Sequence, residues 1–161
     1  MPAVKPIPDG FHTLTPHIIV KGAAKAIDFY KKAFGAEEIH RHAMPDGSVM
    51  HALVRIGDSM LMLNDEFPQM KCFGPATIGG TAVTLNLYVA DADKAWERAV
   101  QAGAKIKMPI ADQFWGDRYG LVTDPFGHDW AIATHKKDLK PEEIMAAAKA
   151  SMAGPPPGKK S

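Results

Sequence analysis

Cysteine is almost absent from this chain, since Cys72 is the only one among 161 residues. An intramolecular disulfide is therefore impossible, and a lone thiol is typical of a reducing, cytoplasmic setting. The chain also lacks an apolar run long enough to cross a bilayer, and Met1 to Gly10 lacks the apolar core of a signal peptide. The formal net charge is only +1, so the composition favours neither a nucleic-acid nor a membrane partner.

What the chain does have is an internal repeat. A pattern of strand, turn and helix runs from His17 to Ala36, and it returns about seventy residues later, from Asn86 to Ala104. Each copy has a strand that ends in valine, a Lys-Ala pair and a helix that closes on Gly-Ala, and each continues into more strands. Because a period this long is one complete supersecondary unit, the sequence predicts two tandem βαβββ modules in an α+β fold.

The predicted boundaries follow from the repeat. A single domain covers residues 13–135, with module one at 13–65, a linker at 66–80 and module two at 81–135. Residues 1–12 are predicted to be a flexible lead-in, and residues 136–161 a C-terminal helix followed by a disordered, proline-rich tail.

Two segments make the repeat more specific. They are PDGSVMHALVRIGDSMLMLND, from Pro45 to Asp65, and DQFWGDRYGLVTDPFGHDWAIATH, from Asp112 to His135. Together with the repeat, they resemble the vicinal oxygen chelate (VOC) superfamily, which includes glyoxalase I, bleomycin-resistance proteins and extradiol dioxygenases, and most of all its PhnB-like branch. The resemblance implies a curled mixed sheet around a cavity, with the helices outside and two chains paired as a homodimer.

The resemblance also implies where a metal would bind, because metal-dependent members place His, Gln or Glu on the first and final strands of each module. The corresponding positions here are Thr15, Thr84, Leu61 or Met62, and Ala131. None of these side chains is a strong metal donor, so no metal ligand is assigned to the usual cage.

A divalent metal at a shifted site stays open as an alternative. Its ligands would be His17, Asn64, Asp65 and Asn86. The other interpretation gives Asn64 and Asp65 a capping or turn role at the end of their strand.

The residues that would line the cavity come from the first strand of each module. Period-two alternation puts Thr15 with His17, and Thr84 with Asn86, on one strand face. His17 is the catalytic candidate, as a general base or a ligand. The alternative is a pocket histidine that only hydrogen-bonds to ligand or backbone. His51 points either into the cavity beside His17 or to the surface.

Two other histidines, His40 and His42, share one strand face at a spacing that can chelate a metal. The adjoining Glu38 and Arg41 favour a solvated outer face for them instead.

The segment from Trp115 to Arg118 is the strongest local motif. Trp115 can lie flat against a ligand, and the resemblance to bleomycin-resistance proteins places it beside the binding crevice. Arg118 can donate two hydrogen bonds to a carboxylate or phosphate of a substrate. In the structural alternative Arg118 pairs with Asp117 or Asp124 and locks the loop onto the hairpin.

The sequence thus predicts a protein that binds a small oxygenated or aromatic molecule in the cavity of its paired modules. One hypothesis is an enzyme of the lyase (glyoxalase) or dioxygenase type that lacks the usual metal cage. The other is a metal-free protein that sequesters a drug or metabolite without catalysis. The predicted partners are a small-molecule ligand and a second copy of the chain.

Overall fold

The structure is a computed structural model that describes residues 4–152, so the predicted tail lies outside the described residues. The strands are β1 His17–Val20, β2 Glu37–Ala43, β3 Val49–Ile56, β4 Ser59–Asp65, β5 Thr84–Tyr88, β6 Lys105–Asp112, β7 Asp117–Thr123 and β8 Asp129–His135. The helices are α1 Ala23–Phe34, α2 Pro75–Ile78, α3 Ala92–Ala102 and α4 Pro141–Met152, with a short 3-10 helix at Pro68–Met70. No helix in residues 4–152 is long and apolar enough to span a membrane.

Each module forms its own four-stranded mixed sheet. The strand order is β1-β4-β3-β2 in the first sheet and β5-β8-β7-β6 in the second. In both sheets the first strand of the module runs parallel to its last strand, and the other neighbours are antiparallel. The predicted α+β fold of two tandem βαβββ modules is confirmed, and the two sheets do not join into a closed barrel.

The two long helices of the repeat begin and end where local chemistry sets their limits. Gly35 ends α1 in the left-handed conformation, with φ of +66°, which glycine adopts without steric cost. Asp91 caps α3 by accepting a hydrogen bond from the backbone N–H of Lys94 at 3.1 Å. The first of these features follows the Gly-Ala that closes the helix in each copy of the repeat.

The core lies around α1 and α3, which pack against each other between the modules. Tyr30 and Phe34 of α1 pack on Trp130 of β8, with ring centroids 5.3 and 4.6 Å apart. Alternate residues of each first strand face this core, among them Ile18 and Leu87. Each sheet therefore keeps a second face that the two core helices do not cover.

A buried carboxylate joins the modules at the centre of this core. Asp124 accepts hydrogen bonds from Tyr30 Oη at 2.7 Å, from Trp130 Nε1 at 2.8 Å, and from the backbone N–H groups of Phe126 and His128. Tyr30 belongs to module one and the other donors to module two. Asp124 therefore has a structural role in holding the two modules together.

Candidate functional site

The uncovered face of the first sheet carries a row of side chains that crosses all four strands. His17 lies opposite Met62, Met62 opposite Leu53, and Leu53 opposite His40. In the adjacent row His42 lies opposite His51. Four histidines, together with Asn64, thus share one open face, which we call the histidine face: His17, His40, His42, His51 and Asn64.

His40 and His42 are both exposed, as the solvated-face interpretation expects, but they share that face with His51 and His17. Nε2 of His40 lies 3.3 Å from Nδ1 of His51, and the rings of His40 and His42 are 5.1 Å apart. A shift in the β2–β3 register between Glu38 and His40 puts the histidines on the opposite face from Glu38. One extra residue reverses the alternation of side chains, so Glu38 and Arg41 pair on the helix side while the histidines face outward.

His17 is held by the side chain of Asn64. Nε2 of His17 lies 2.6 Å from Oδ1 of Asn64, whose Nδ2 donates a 2.6 Å hydrogen bond to the carbonyl oxygen of Asp65. Because that second bond fixes the amide orientation, neutral His17 carries its proton on Nε2 and keeps Nδ1 as an acceptor. The arrangement provides a histidine with one defined basic nitrogen.

His51 lies beside His17 on the same open face of the sheet, and its position in a ligand cavity stays a prediction. The two rings meet edge to face, with centroids 5.6 Å apart. Burial lowers the pKa of His51, and the nearby imidazoles of His17, His40 and His42 lower it further. These effects favour the neutral form of His51.

Asp65 has the capping role that was the structural alternative. Its Oδ1 accepts hydrogen bonds from the backbone N–H groups of Gly22 and Ala23 at 2.7 and 2.8 Å, at the start of α1. Its Oδ2 accepts one from the N–H of Val49 at 2.8 Å. Both carboxylate oxygens are therefore engaged by the backbone.

The corresponding polar residues of module two lie on the other sheet. Thr84 and Asn86 are exposed on β5, opposite Asp129 and Ala131 of β8. Among residues 4–152, no side-chain hydrogen bond connects either residue to the histidine face. A single chain therefore does not bring His17 and Asn86 into one constellation.

The Trp115 segment is organised around a buried carboxylate. Asp117 accepts hydrogen bonds from Trp115 Nε1 at 3.2 Å and Tyr88 Oη at 2.9 Å, and it contacts His135 Nδ1 at 2.8 Å. The hydrogen bond to Asp117 raises the pKa of Tyr88, and Asp138 and Asp117 together raise that of His135. Tyr88 and His135 could not be identified from the sequence as partners of Asp117, because only the strand register brings them to it.

Arg118 pairs with acids other than the two expected from the sequence. Its guanidinium binds Asp93 of α3, at 2.7 Å from Nη2 to Oδ1, and Asp112 at 3.4 Å. The ion pair between the Arg118 guanidinium and Asp93 thus connects β7 to α3. Ligand binding by Arg118 or Trp115 stays a prediction.

The residues at the usual metal positions of the resembled family do not fit a metal. Thr15, Thr84, Met62 and Ala131 offer two hydroxyls, a thioether and a methyl group, which are weak ligands or none. A single chain does not assemble the shifted set, since Asp65 is engaged by the backbone and Asn86 is on the second sheet, so a metal at that site stays a prediction. As the side chains stand in residues 4–152, no three His, Cys, Asp or Glu groups form a metal cage.

A cavity of about 390 Å³ opens elsewhere, between the modules. Phe34, Ile56, Leu87 and Val89 line it, with charged side chains of α3 and its cap beside them. It contains none of the histidines, and its apolar residues belong to the packed core or border it. We place the candidate site on the histidine face, where polar groups converge.

Comparison with known proteins shows which family and which relatives this chain resembles in sequence. The family model for the Glyoxalase/Bleomycin resistance protein/Dioxygenase superfamily matches residues 10–132. The chain is 48% identical over 137 residues to an uncharacterized protein of Mycobacterium tuberculosis (strain H37Rv), which covers 83% of this chain and 81% of the relative.

Solved structures show the same fold. TioX from Micromonospora sp. ML1 is 28% identical, with a TM-score of 0.62 over 77% of this chain and 98% of its own. A PhnB protein from Bacillus cereus is 18% identical, with a TM-score of 0.57 over 76% of this chain and 99% of its own, and at that identity the likeness is one of fold alone.

Proposed function

We propose that this chain, which belongs to the glyoxalase/bleomycin resistance/dioxygenase superfamily, binds a small oxygenated or aromatic molecule on its histidine face. The observation that carries the proposal is the His17–Asn64 pair, 2.6 Å apart, beside the apolar side chains of Met62 and Leu53. Binding sites for small molecules combine an apolar surface with a few fixed polar groups, and this face has both.

A second copy of the chain would complete the site. Both sheets keep an uncovered face, and large apolar side chains are exposed beside or on their first strands, with Leu14 85%, Val83 61% and Tyr88 65% exposed. Exposed apolar surface of this kind favours burial against another protein surface. In a homodimer the Thr84 and Asn86 face of one chain can cover the histidine face of the other, which supplies the polar residues that a single chain keeps apart.

Catalysis is the second candidate, and one observation favours it. The Asn64 amide leaves Nδ1 of His17 as an acceptor, which is what a general base requires. The reaction would be of the lyase or dioxygenase type, on a substrate with adjacent oxygens and without the usual metal cage. The alternative is a protein that sequesters a drug or metabolite and leaves it unchanged.

A screen with paired histidine variants tests binding. Small catechols, aromatic ketones and hemithioacetals would be scored by the thermal shift they cause and then by calorimetry. His17→Gln should weaken a hit by about tenfold or more, because a lost hydrogen bond to a bound polar group is worth about 1–3 kcal/mol. The matched control is His12→Gln, an exposed histidine of the lead-in. Equal affinities in the two variants would contradict the proposal.

Turnover then separates enzyme from binding protein. Each hit is incubated with the wild type and with His17→Gln, and the products are followed by absorbance and mass spectrometry. Turnover that His17→Gln abolishes supports the general base. A ligand that binds tightly and is recovered unchanged supports sequestration.

The homodimer is tested separately by sedimentation of the wild type and of Val83→Glu. We expect a dimer that the charged substitution dissociates, since Val83 lies next to β5. A wild-type protein that sediments as a monomer at all concentrations would contradict this part of the proposal.

A further inference from the structure

Three histidines of the histidine face, His40, His42 and His51, lie close together at the bulged edge of the first sheet. The ring centroids of His40 and His42 are 5.1 Å apart, those of His40 and His51 5.4 Å, and those of His42 and His51 6.5 Å. The small-molecule proposal rests on the His17–Asn64 pair and gives these three imidazoles no role of their own.

These separations can be compared with those of imidazoles that share one metal ion. A histidine nitrogen lies about 2.0–2.1 Å from a bound transition metal, so two nitrogens on a tetrahedral ion are about 3.3 Å apart. The ring centres then lie about 5 Å apart, because each sits roughly 1 Å behind its nitrogen. Nε2 of His40 and Nδ1 of His51 are 3.3 Å apart. Two of the three centroid separations are also close to the expected value.

The backbone places the three residues close together on one face of the sheet. His42 lies directly opposite His51 in the antiparallel pair, where Cβ atoms are about 4.5–5.5 Å apart. His40 is on the same face of the same strand. As these side chains stand they do not form a metal cage. His40 and His42 are exposed, however, and exposed side chains change rotamer within nanoseconds. Only side-chain torsions have to change, without movement of the sheet.

The donor set selects the class of ion. Three imidazoles suit zinc, copper and nickel, whereas magnesium and calcium require oxygen ligands. The nearest acid on β2, Glu38, is paired with Lys31 and Arg41 on the other face of the strand. Three protein ligands leave at least one coordination position open.

We propose that His40, His42 and His51 bind one divalent transition-metal ion and leave a coordination position open to solvent or a ligand. Two of the three ligands lie on β2, so this site is separate from the first-strand and final-strand positions of the resembled family. It goes beyond the proposed function and stands independently of it.

The test is metal binding by the full-length protein after removal of bound metal with a chelator that is then dialysed away. Zinc is titrated in competition with a chromophoric chelator, and cobalt is used in a parallel titration because its visible absorption reports tetrahedral coordination. We expect one ion per chain, with intense cobalt bands. Each of His40→Ala, His42→Ala and His51→Ala should weaken zinc binding by about tenfold or more, since even indirect support of a ligand is worth that much.

Two controls make the result specific. His12→Ala removes an exposed histidine of the lead-in and should leave zinc affinity unchanged. His17→Gln should also retain zinc while it loses the small-molecule ligand, so failure of this site and failure of the proposed function are told apart. Circular dichroism verifies that each variant is folded, and histidine ring NMR signals show which imidazoles zinc perturbs.

The outcomes are decisive in both directions. Loss of affinity confined to the three variants, with NMR shifts at the same three rings, supports the site. Absence of binding by the wild type overturns it. Binding that is unchanged in all three variants, or reduced equally by His12→Ala, identifies adventitious binding and also overturns it.

Discussion

The hydrogen bond between Tyr30 and Asp124 should contribute measurably to the stability of the whole domain, because it connects the two modules. Tyr30→Phe removes only the hydroxyl group, which lies 2.7 Å from the Asp124 carboxylate in the buried core. The ring keeps its packing on Trp130, with centroids 5.3 Å apart, so the substitution leaves the core volume nearly unchanged.

The magnitude follows from the charge of the acceptor and from what remains around it. A hydrogen bond to a charged group contributes about 1.5–3 kcal/mol to stability. Asp124 keeps its bonds to Trp130 Nε1 and two backbone N–H groups, so no buried charge is left without partners. We therefore expect Tyr30→Phe to lower the free energy of unfolding by about 2 kcal/mol, which is in the lower half of that range.

The assay is urea unfolding followed by tryptophan fluorescence and circular dichroism. The midpoint should fall while the slope with denaturant stays the same, which shows that the native fold is kept. The matched control is Tyr119→Phe, a half-buried tyrosine for which the described residues contain no hydroxyl partner, and it should change stability by less than about 0.5 kcal/mol. If Tyr30→Phe is as stable as this control, the reasoning about the inter-module bond is refuted.

Three more predictions concern local features. The pKa of His135 is raised by its two acidic neighbours, so the stability it contributes is complete below its unfolded pKa of about 6.5 and is lost as the pH rises through the folded pKa. Chemical unfolding across this pH window should show that decline in the wild type, and a His135→Gln protein with the same decline would disprove the assignment. Gly116→Ala should destabilise by well over ~1 kcal/mol, because φ is +101° and the new Cβ would clash with the backbone oxygen of Lys137. Gly47→Ala is its control: φ is +85° but the space is open, and thermal melts of the two should differ clearly. Asp65→Ala should cost about 1–2 kcal/mol through the lost cap of α1. An unchanged urea midpoint for that variant would show that water replaces the carboxylate.

Much of the fold could be predicted because it depends on local patterns. The repeat, the alternation in the first strands and the glycine after α1 each encode an element within a few residues. The cap by Asp91 is of the same kind, since its carboxylate reaches an N–H only three residues away. The half-burial of the strands also follows from period two, since Ile18 and Leu87 alternate with His17 and Asn86 and pack in or against the core.

The candidate site was predictable only in part. His17 and Asn64 were both named from the sequence, but their contact depends on how β1 and β4 align. The partner of Arg118 was missed, since Asp93 lies 25 residues away on a helix and only packing brings it near. A single extra residue before His40 reversed the side-chain alternation on β2. No residue type in that segment predicts this bulge.

The sequence by itself therefore determined the two βαβββ modules, their helix ends and the weak metal donors at the positions that the family uses. These depend on residue identity and on spacing within one element. Only the tertiary structure decided that four histidines share one face, that Asp124 joins the modules and that Thr84 and Asn86 lie on a separate sheet. Those facts depend on strand register and on the packing of α1 against α3, which bring together residues that are distant along the chain.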